Sequence, residues 1–156
     1  MSPEVRQAID GFGFTDLTSI QEKAIMPAMS GRDLIGQAPT GSGKTLAFGI
    51  PIAERLDVGK GIQSLIVCPT RELTLQDSGV LKDLCKYKGI RVATVYGGAP
   101  IEPQIKRLKN CEVVVGTPGR LLDHMRRGTL KLNGIRILVL DEADRMVDMG
   151  FIDDIR

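Results

Sequence analysis

The sequence predicts an α/β fold: a parallel β-sheet with helices on both faces. Three observations predict it. Short apolar runs alternate with longer amphipathic segments along the chain. Several of the runs are rich in Ile, Val and Leu without polar alternation, as in strands covered on both faces. Glycines and charged residues gather just after the runs, at the carboxyl ends where parallel sheets collect ligands.

Taken in order, Ser2-Pro3 offers an N-cap followed by proline at the first helical position, and Thr18-Ser19 opens a second short helix. The first strand is expected at 33–37, with a helix at 43–56 behind it. Ser64-Leu65-Ile66-Val67-Cys68 is an apolar strand, and a helix at 70–86 follows. The pattern repeats with a strand at 91–96 and a helix at 101–109, then a strand at 112–116 and a helix at 118–125. A last strand at 135–140 runs into Asp141. Such β-α alternation implies parallel pairing with crossovers. The residues after Gln37, Cys68, Tyr96 and Gly116, together with Asp141, should then share one edge of the sheet.

Bulk composition bounds the function without naming it. The 156 residues fit one domain, 1–156, and 42% hydrophobic with 26% charged residues is ordinary for a soluble globular core. Trp is absent, which argues against broad base-stacking platforms. A net charge of +2 is compatible with a polyanion but does not argue for one. Cys68, Cys85 and Cys111 form no CxxC pair and His124 stands alone, so a Cys/His metal site has little raw material. Cys68 in its apolar run reads as a small buried hydrophobe. These cysteines suit a reducing compartment, and no apolar run approaches membrane-spanning length. The expectation is a cytoplasmic protein, or a nuclear one if eukaryotic, with no membrane partner. Lys82, Lys86 and Lys88, and the run Lys106-Arg107-Leu108-Lys109, read as solvated helix faces.

Two motifs carry chemistry. Ala38-Pro39-Thr40-Gly41-Ser42-Gly43-Lys44-Thr45 falls between a strand and a helix. Gly41 and Gly43 let backbone N–H groups turn inward around phosphate oxygens, and the helix N-terminus adds partial positive charge. Lys44 supplies a full charge for the β- and γ-phosphates, and the Thr45 hydroxyl is a Mg²⁺ ligand candidate. The strict pattern has glycine where this chain has Ala38. The second motif is Asp141-Glu142-Ala143-Asp144, at the end of an apolar strand. There Asp141 is a second Mg²⁺ anchor, and Glu142 a group that orients or deprotonates an attacking water.

With Arg145-Met146 and Met149-Gly150-Phe151 behind it, the acidic motif resembles the signature of DEAD-box RNA helicases. Other motifs match the family in the same order: Gly13-Phe14, Thr18 and Ile20-Gln21 its adenine-sensing segment, then Ala38–Thr45, Pro69-Thr70-Arg71-Glu72-Leu73, Gly97-Gly98 and Thr117-Pro118-Gly119-Arg120. The resemblance implies the first, RecA-like lobe of a P-loop NTPase that uses ATP with Mg²⁺ and unwinds RNA. It implies adenine contact by Phe14 and Gln21. Thr18-x-x-Gln21 is also a capping box, and both roles stay open. It further implies that Pro69, Thr70, Arg71, Gly97, Gly98, Thr117, Pro118, Gly119 and Arg120 grip the sugar-phosphate backbone of RNA whatever its sequence. Thr117-Pro118 reads equally as an N-cap and first-turn proline.

The family's second RecA-like lobe, with its arginine finger, and its Ser-Ala-Thr motif do not occur in these residues. The expectation is an isolated first lobe that binds nucleotide but hydrolyses little, since arginine fingers contribute roughly 10³–10⁵ in kcat. Two other classes compete: a P-loop ATPase serving another process, and a nucleic-acid-binding module with a vestigial ATP site. The RNA-facing motifs weigh against the first, and intact Lys44, Thr45, Asp141 and Glu142 against the second.

Overall fold

The structure is a computed structural model that describes residues 2–11 and 44–142, with only the backbone of Lys44. The strand expected at 33–37, the helix opening at Thr18, residues 38–43, Phe14 and Gln21 lie outside the described residues. So do Ala143 and Asp144.

Helix α1 (Pro3–Asp10) starts where Ser2 caps it, its side chain accepting from the Val5 N–H with Pro3 in the first turn. Helix α2 (Lys44–Arg55) runs through Pro51. Strand β1 (Ser64–Val67) leads to helix α3 (Arg71–Cys85), capped by Thr70 accepting from the Leu73 N–H. Strand β2 (Val92–Val95) precedes helix α4 (Ile101–Leu108). Strand β3 (Val113–Gly116) precedes helix α5 (Pro118–Arg126), and strand β4 (Ile137–Leu140) closes the described chain. All described elements agree with the sequence reading to within two residues at each end, the usual latitude of helix and strand boundaries.

The strands pair in the order β2-β3-β1-β4, every ladder parallel. Successive strand residues point to opposite faces, and the two cores follow that alternation. On one face Ile66, Val113 and Val115 pack with Val5 of α1, Leu46, Ile50 and Ala53 of α2, and Leu81 and Leu84 of α3. On the other face Leu65, Val67, Ala93, Val95 and Val114 pack with Leu108 of α4 and Leu121 of α5. Helices therefore cover both faces, as expected. Each such aliphatic side chain, once fully buried, contributes about 1.5–3 kcal/mol.

Strand β4 departs from the expectation of burial on both faces. Ile137 and Val139 pack onto the first core, but Leu138 is 59% and Leu140 38% exposed. Among the described residues β4 ends the strand order, and the second core extends only over β1, β2 and β3.

Most polar groups inside the fold are paired; the buried Ser64 hydroxyl makes no hydrogen bond among the described residues. Glu112, fully buried, accepts from the Arg91 guanidinium at 2.7 Å and from the Arg91 backbone N–H at 2.9 Å. An unpaired carboxylate there would be strongly destabilising. Lys88 differs from the solvated-face reading: its ammonium donates to the carbonyls of Ala53 and Glu54 at 2.8 and 2.9 Å, closing the end of α2. No helix among the described residues is long and apolar enough to cross a membrane.

Candidate functional site

Parallel pairing brings the carboxyl ends of β1, β2, β3 and β4 to one edge. The backbone is stitched there by Cys68 N–H donating to Gly116 O at 2.9 Å, Thr117 N–H to Val95 O at 3.2 Å and Asp141 N–H to Val67 O at 2.9 Å. Motifs separated by dozens of residues thus become neighbours, and the edge divides into two parts.

The acidic part lies at β1 and β4. Asp141 is buried at the end of β4, beside β1. Cys68, Asp77 and Asp141 each bring one side-chain ligand atom within 4.8 Å of the others. Asp77, on α3, has no exposed surface; its Oδ1 accepts the Thr45 hydroxyl at 2.8 Å and its Oδ2 the Cys68 thiol at 3.3 Å. Thr45 is the second residue of α2, so this bond joins the phosphate-cradle motif to the acidic cluster. Burial above all, and then the Asp77 carboxylate, push the Cys68 thiol far above the usual range, so it stays protonated. Beside it the Asp77 and Asp141 carboxylates and the Thr45 hydroxyl offer oxygen donors, which suit a hard cation such as Mg²⁺. Glu142 follows with φ 53°, the left-handed region, which costs a non-glycine residue about 1–2 kcal/mol. Strained backbone of this kind concentrates at active sites.

The basic part lies at β1, β2 and β3. The Arg71 guanidinium stacks over the Tyr96 ring, 4.7 Å from its centroid. Arg120 Nη1 donates to Ala99 O at 3.1 Å and to Gln104 Oε1 at 3.2 Å. Gln104 is buried on α4, and its amide orientation is set because Nε2 donates to Tyr96 O at 3.0 Å. Its Oε1 therefore also faces His124 Nε2, 2.9 Å away, which carries the proton in this arrangement. His124 Nδ1 meets the Thr129 hydroxyl at 2.9 Å. Burial, followed by the charge of Arg120, holds the imidazole below the usual histidine range, so it is neutral near pH 7.

Of the nine residues expected to face RNA, Arg71, Gly97, Gly98 and Gly119 are exposed, and Thr70, Thr117 and Arg120 are half-buried. Pro69 and Pro118 are buried. Gly98 has φ 81°, which a side chain would strain. Thr117 occupies the N-cap of α5, yet its side chain makes no capping hydrogen bond. Thr117 and Pro118 thus take the N-cap and first-turn positions read from the sequence, without a side-chain cap. Of the residues expected at an ATP site, the structure places Thr45, Asp141 and Glu142; the Lys44 side chain lies outside the described residues.

Sequence reasoning missed Asp77, Gln104 and Tyr96. Cys68 is buried in the core, as its apolar run predicts, and its thiol also donates to Asp77 Oδ2. No motif marked Asp77 or Gln104, since a single Asp or Gln on an amphipathic helix usually faces water.

Comparison with known proteins gives a consistent picture. The DEAD/DEAH box helicase family model matches residues 18–156. The chain is 51% identical over 157 residues to the DEAD-box ATP-dependent RNA helicase CshA of Geobacillus kaustophilus, covering 99% of this chain and 34% of that protein. It thus spans about a third of the length of this curated relative. Among solved structures it is similar to a DEAD box protein from Methanococcus jannaschii, with a TM-score of 0.95, 46% identity, and coverage of 99% of this chain and 43% of the other. A hypothetical ATP-dependent RNA helicase from Sulfolobus tokodaii gives a TM-score of 0.92 at 46% identity, over 99% and 45% of the two chains.

Proposed function

The chain belongs to the DEAD/DEAH box helicase family, and on that premise we propose that it is the nucleotide-binding lobe of an ATP-dependent RNA helicase. The observation that supports this best is the divided edge: an oxygen-donor cluster at β1 and β4 beside an arginine- and glycine-bearing surface at β1, β2 and β3. A triphosphate and an RNA backbone bound to these two parts would lie on one side of one sheet.

In this reading the backbone N–H groups of the motif 38–43 would bind the phosphates, with Lys44 supplying charge. The Thr45 hydroxyl and Asp141 would hold Mg²⁺, which neutralises developing charge on the phosphates. Glu142 accepts the proton of the attacking water. Gln21 matches the donor and acceptor of adenine N6 and N7, which guanine does not. Phe14 belongs to the same adenine-sensing motif, so it is assigned to adenine contact as well. Arg71, Gly97, Gly98, Thr117, Gly119 and Arg120 present a surface for the sugar-phosphate backbone, without base contacts. A second RecA-like lobe completes the catalytic site, and the lobe acts inside the cell, in cytoplasm or nucleus.

The test is the ATP hydrolysis rate of the polypeptide that carries this chain with a second lobe, measured with and without single-stranded RNA. Stimulation by RNA irrespective of sequence is expected. A rate indifferent to RNA would favour a P-loop ATPase of another class, and RNA binding without hydrolysis a vestigial ATP site.

A further inference from the structure

We propose that Asp77 is a positioning residue of the Mg²⁺–nucleotide site, acting by fixing the Thr45 hydroxyl. The proposal rests on the nucleotide-binding reading above and extends it to a residue on a different helix.

The argument starts from the inventory of a hydroxyl: one proton and two lone pairs. Thr45 gives its proton to Asp77 Oδ1 at 2.8 Å. The lone pairs are then turned away from Asp77, and a hydroxyl that donates to a carboxylate is a more electron-rich oxygen for a hard cation. Without the carboxylate the proton is free to rotate toward the space where a cation would lie.

The carboxylate is itself held still. Asp77 belongs to the buried stripe of α3, with Thr74, Ser78, Leu81, Leu84 and Cys85, and α3 packs against α2 through Leu81 and Leu84. Its second oxygen takes the Cys68 thiol at 3.3 Å. Both oxygens are therefore fixed by partners from two elements, α2 and the end of β1. A buried charge destabilises a fold unless it is well paired, and an apolar residue of similar volume would serve packing as well or better. Asp77 also lies in the cluster with Asp141, the candidate cation anchor, so its one bond to the cradle side leads into the metal-binding part of the site.

The test measures ADP affinity of this chain in excess Mg²⁺ and in EDTA, and takes the ratio of the two. Asp77→Val should lower that ratio by about tenfold, the scale of one hydrogen bond to a charged group. Asp77→Asn should restore most of it, because its Oδ1 still accepts from Thr45. In a Thr45→Ala background, Asp77→Val should change the ratio no further. A purely structural Asp77 would lower both affinities together and leave the ratio alone, which overturns the proposal. So would an Asn variant as poor as Val, or an effect that persists without the Thr45 hydroxyl. Should Asp77→Val fail to fold, Asp77→Ser keeps a polar group but is too short to reach Thr45, and the same ratio decides. If the wild-type chain showed no Mg²⁺ effect on ADP affinity, the nucleotide-site reading would fail, and this inference with it.

Discussion

Arg120 donates from Nη1 to the carbonyl oxygen of Ala99 at 3.1 Å, tying the start of α5 to the loop after β2. The same nitrogen reaches Gln104 on α4 at 3.2 Å. A residue expected to grip RNA is thus also a brace between two segments expected to face RNA.

Arg120→Ala should therefore have two effects. RNA affinity should fall similarly for every sequence, with a slightly flatter salt dependence, while nucleotide affinity is kept. Stability should fall by about 1–2 kcal/mol, the scale of a lost charge-assisted hydrogen bond. Filter binding over a salt series and urea unfolding check the two effects. Altered sequence preference would contradict the backbone-gripping role.

Glu142 and Asp141 should separate by phenotype in the polypeptide that includes a second lobe. Glu142→Gln keeps the side chain's shape but cannot take up water's proton, so Mg²⁺–ATP binding should survive while turnover is lost. Asp141→Asn should instead weaken metal placement, with a defect partly relieved at high Mg²⁺. Steady-state hydrolysis across a Mg²⁺ titration tells them apart, and near-normal turnover in Glu142→Gln would remove its catalytic role.

Gly116 ends β3 where the chain turns into the Thr117–Arg120 motif. A Cβ there would lie 2.5 Å from Val95 Cγ2, 2.8 Å from Val95 O and 2.8 Å from Leu121 Cδ2. The backbone oxygen cannot rotate away, so Gly116→Ala should cost about 1–3 kcal/mol or more. A urea midpoint unchanged from wild type would show that β2 and β3 can separate freely at this edge.

His124 makes stability depend on pH in a defined direction. Burial above all depresses its folded pKa below the unfolded value, so the unfolded chain takes up the proton first. The contribution is complete above the unfolded pKa, near 6.5, and is lost as pH falls through the depressed folded pKa. His124→Gln should flatten the fall of the urea midpoint on acidification. An identical slope in wild type and variant would mean the imidazole takes up its proton without disturbing Gln104 and Thr129.

Local chemistry determined most of this protein from sequence. Apolar runs of four or five residues between amphipathic segments could only be strands and helices in alternation. Ser2, Thr70 and the prolines at 3 and 118 marked helix starts because capping depends on the nearest few residues. The spacing Gly-Ser-Gly-Lys-Thr and the Asp-Glu pair named the chemistry because backbone amides, a lysine and two carboxylates have few other uses together. What only the tertiary structure decided are the relations between distant residues of ordinary type. Asp77 meets Thr45 because α3 packs on α2, and Gln104 joins Arg120 to His124 because α4 and α5 cover the same face. Among the described residues Leu138 and Leu140 stay exposed for a related reason. Helical periodicity sets which side of an element is buried, but the partner across a hydrogen bond or a sheet face is set by which elements the fold brings next to it.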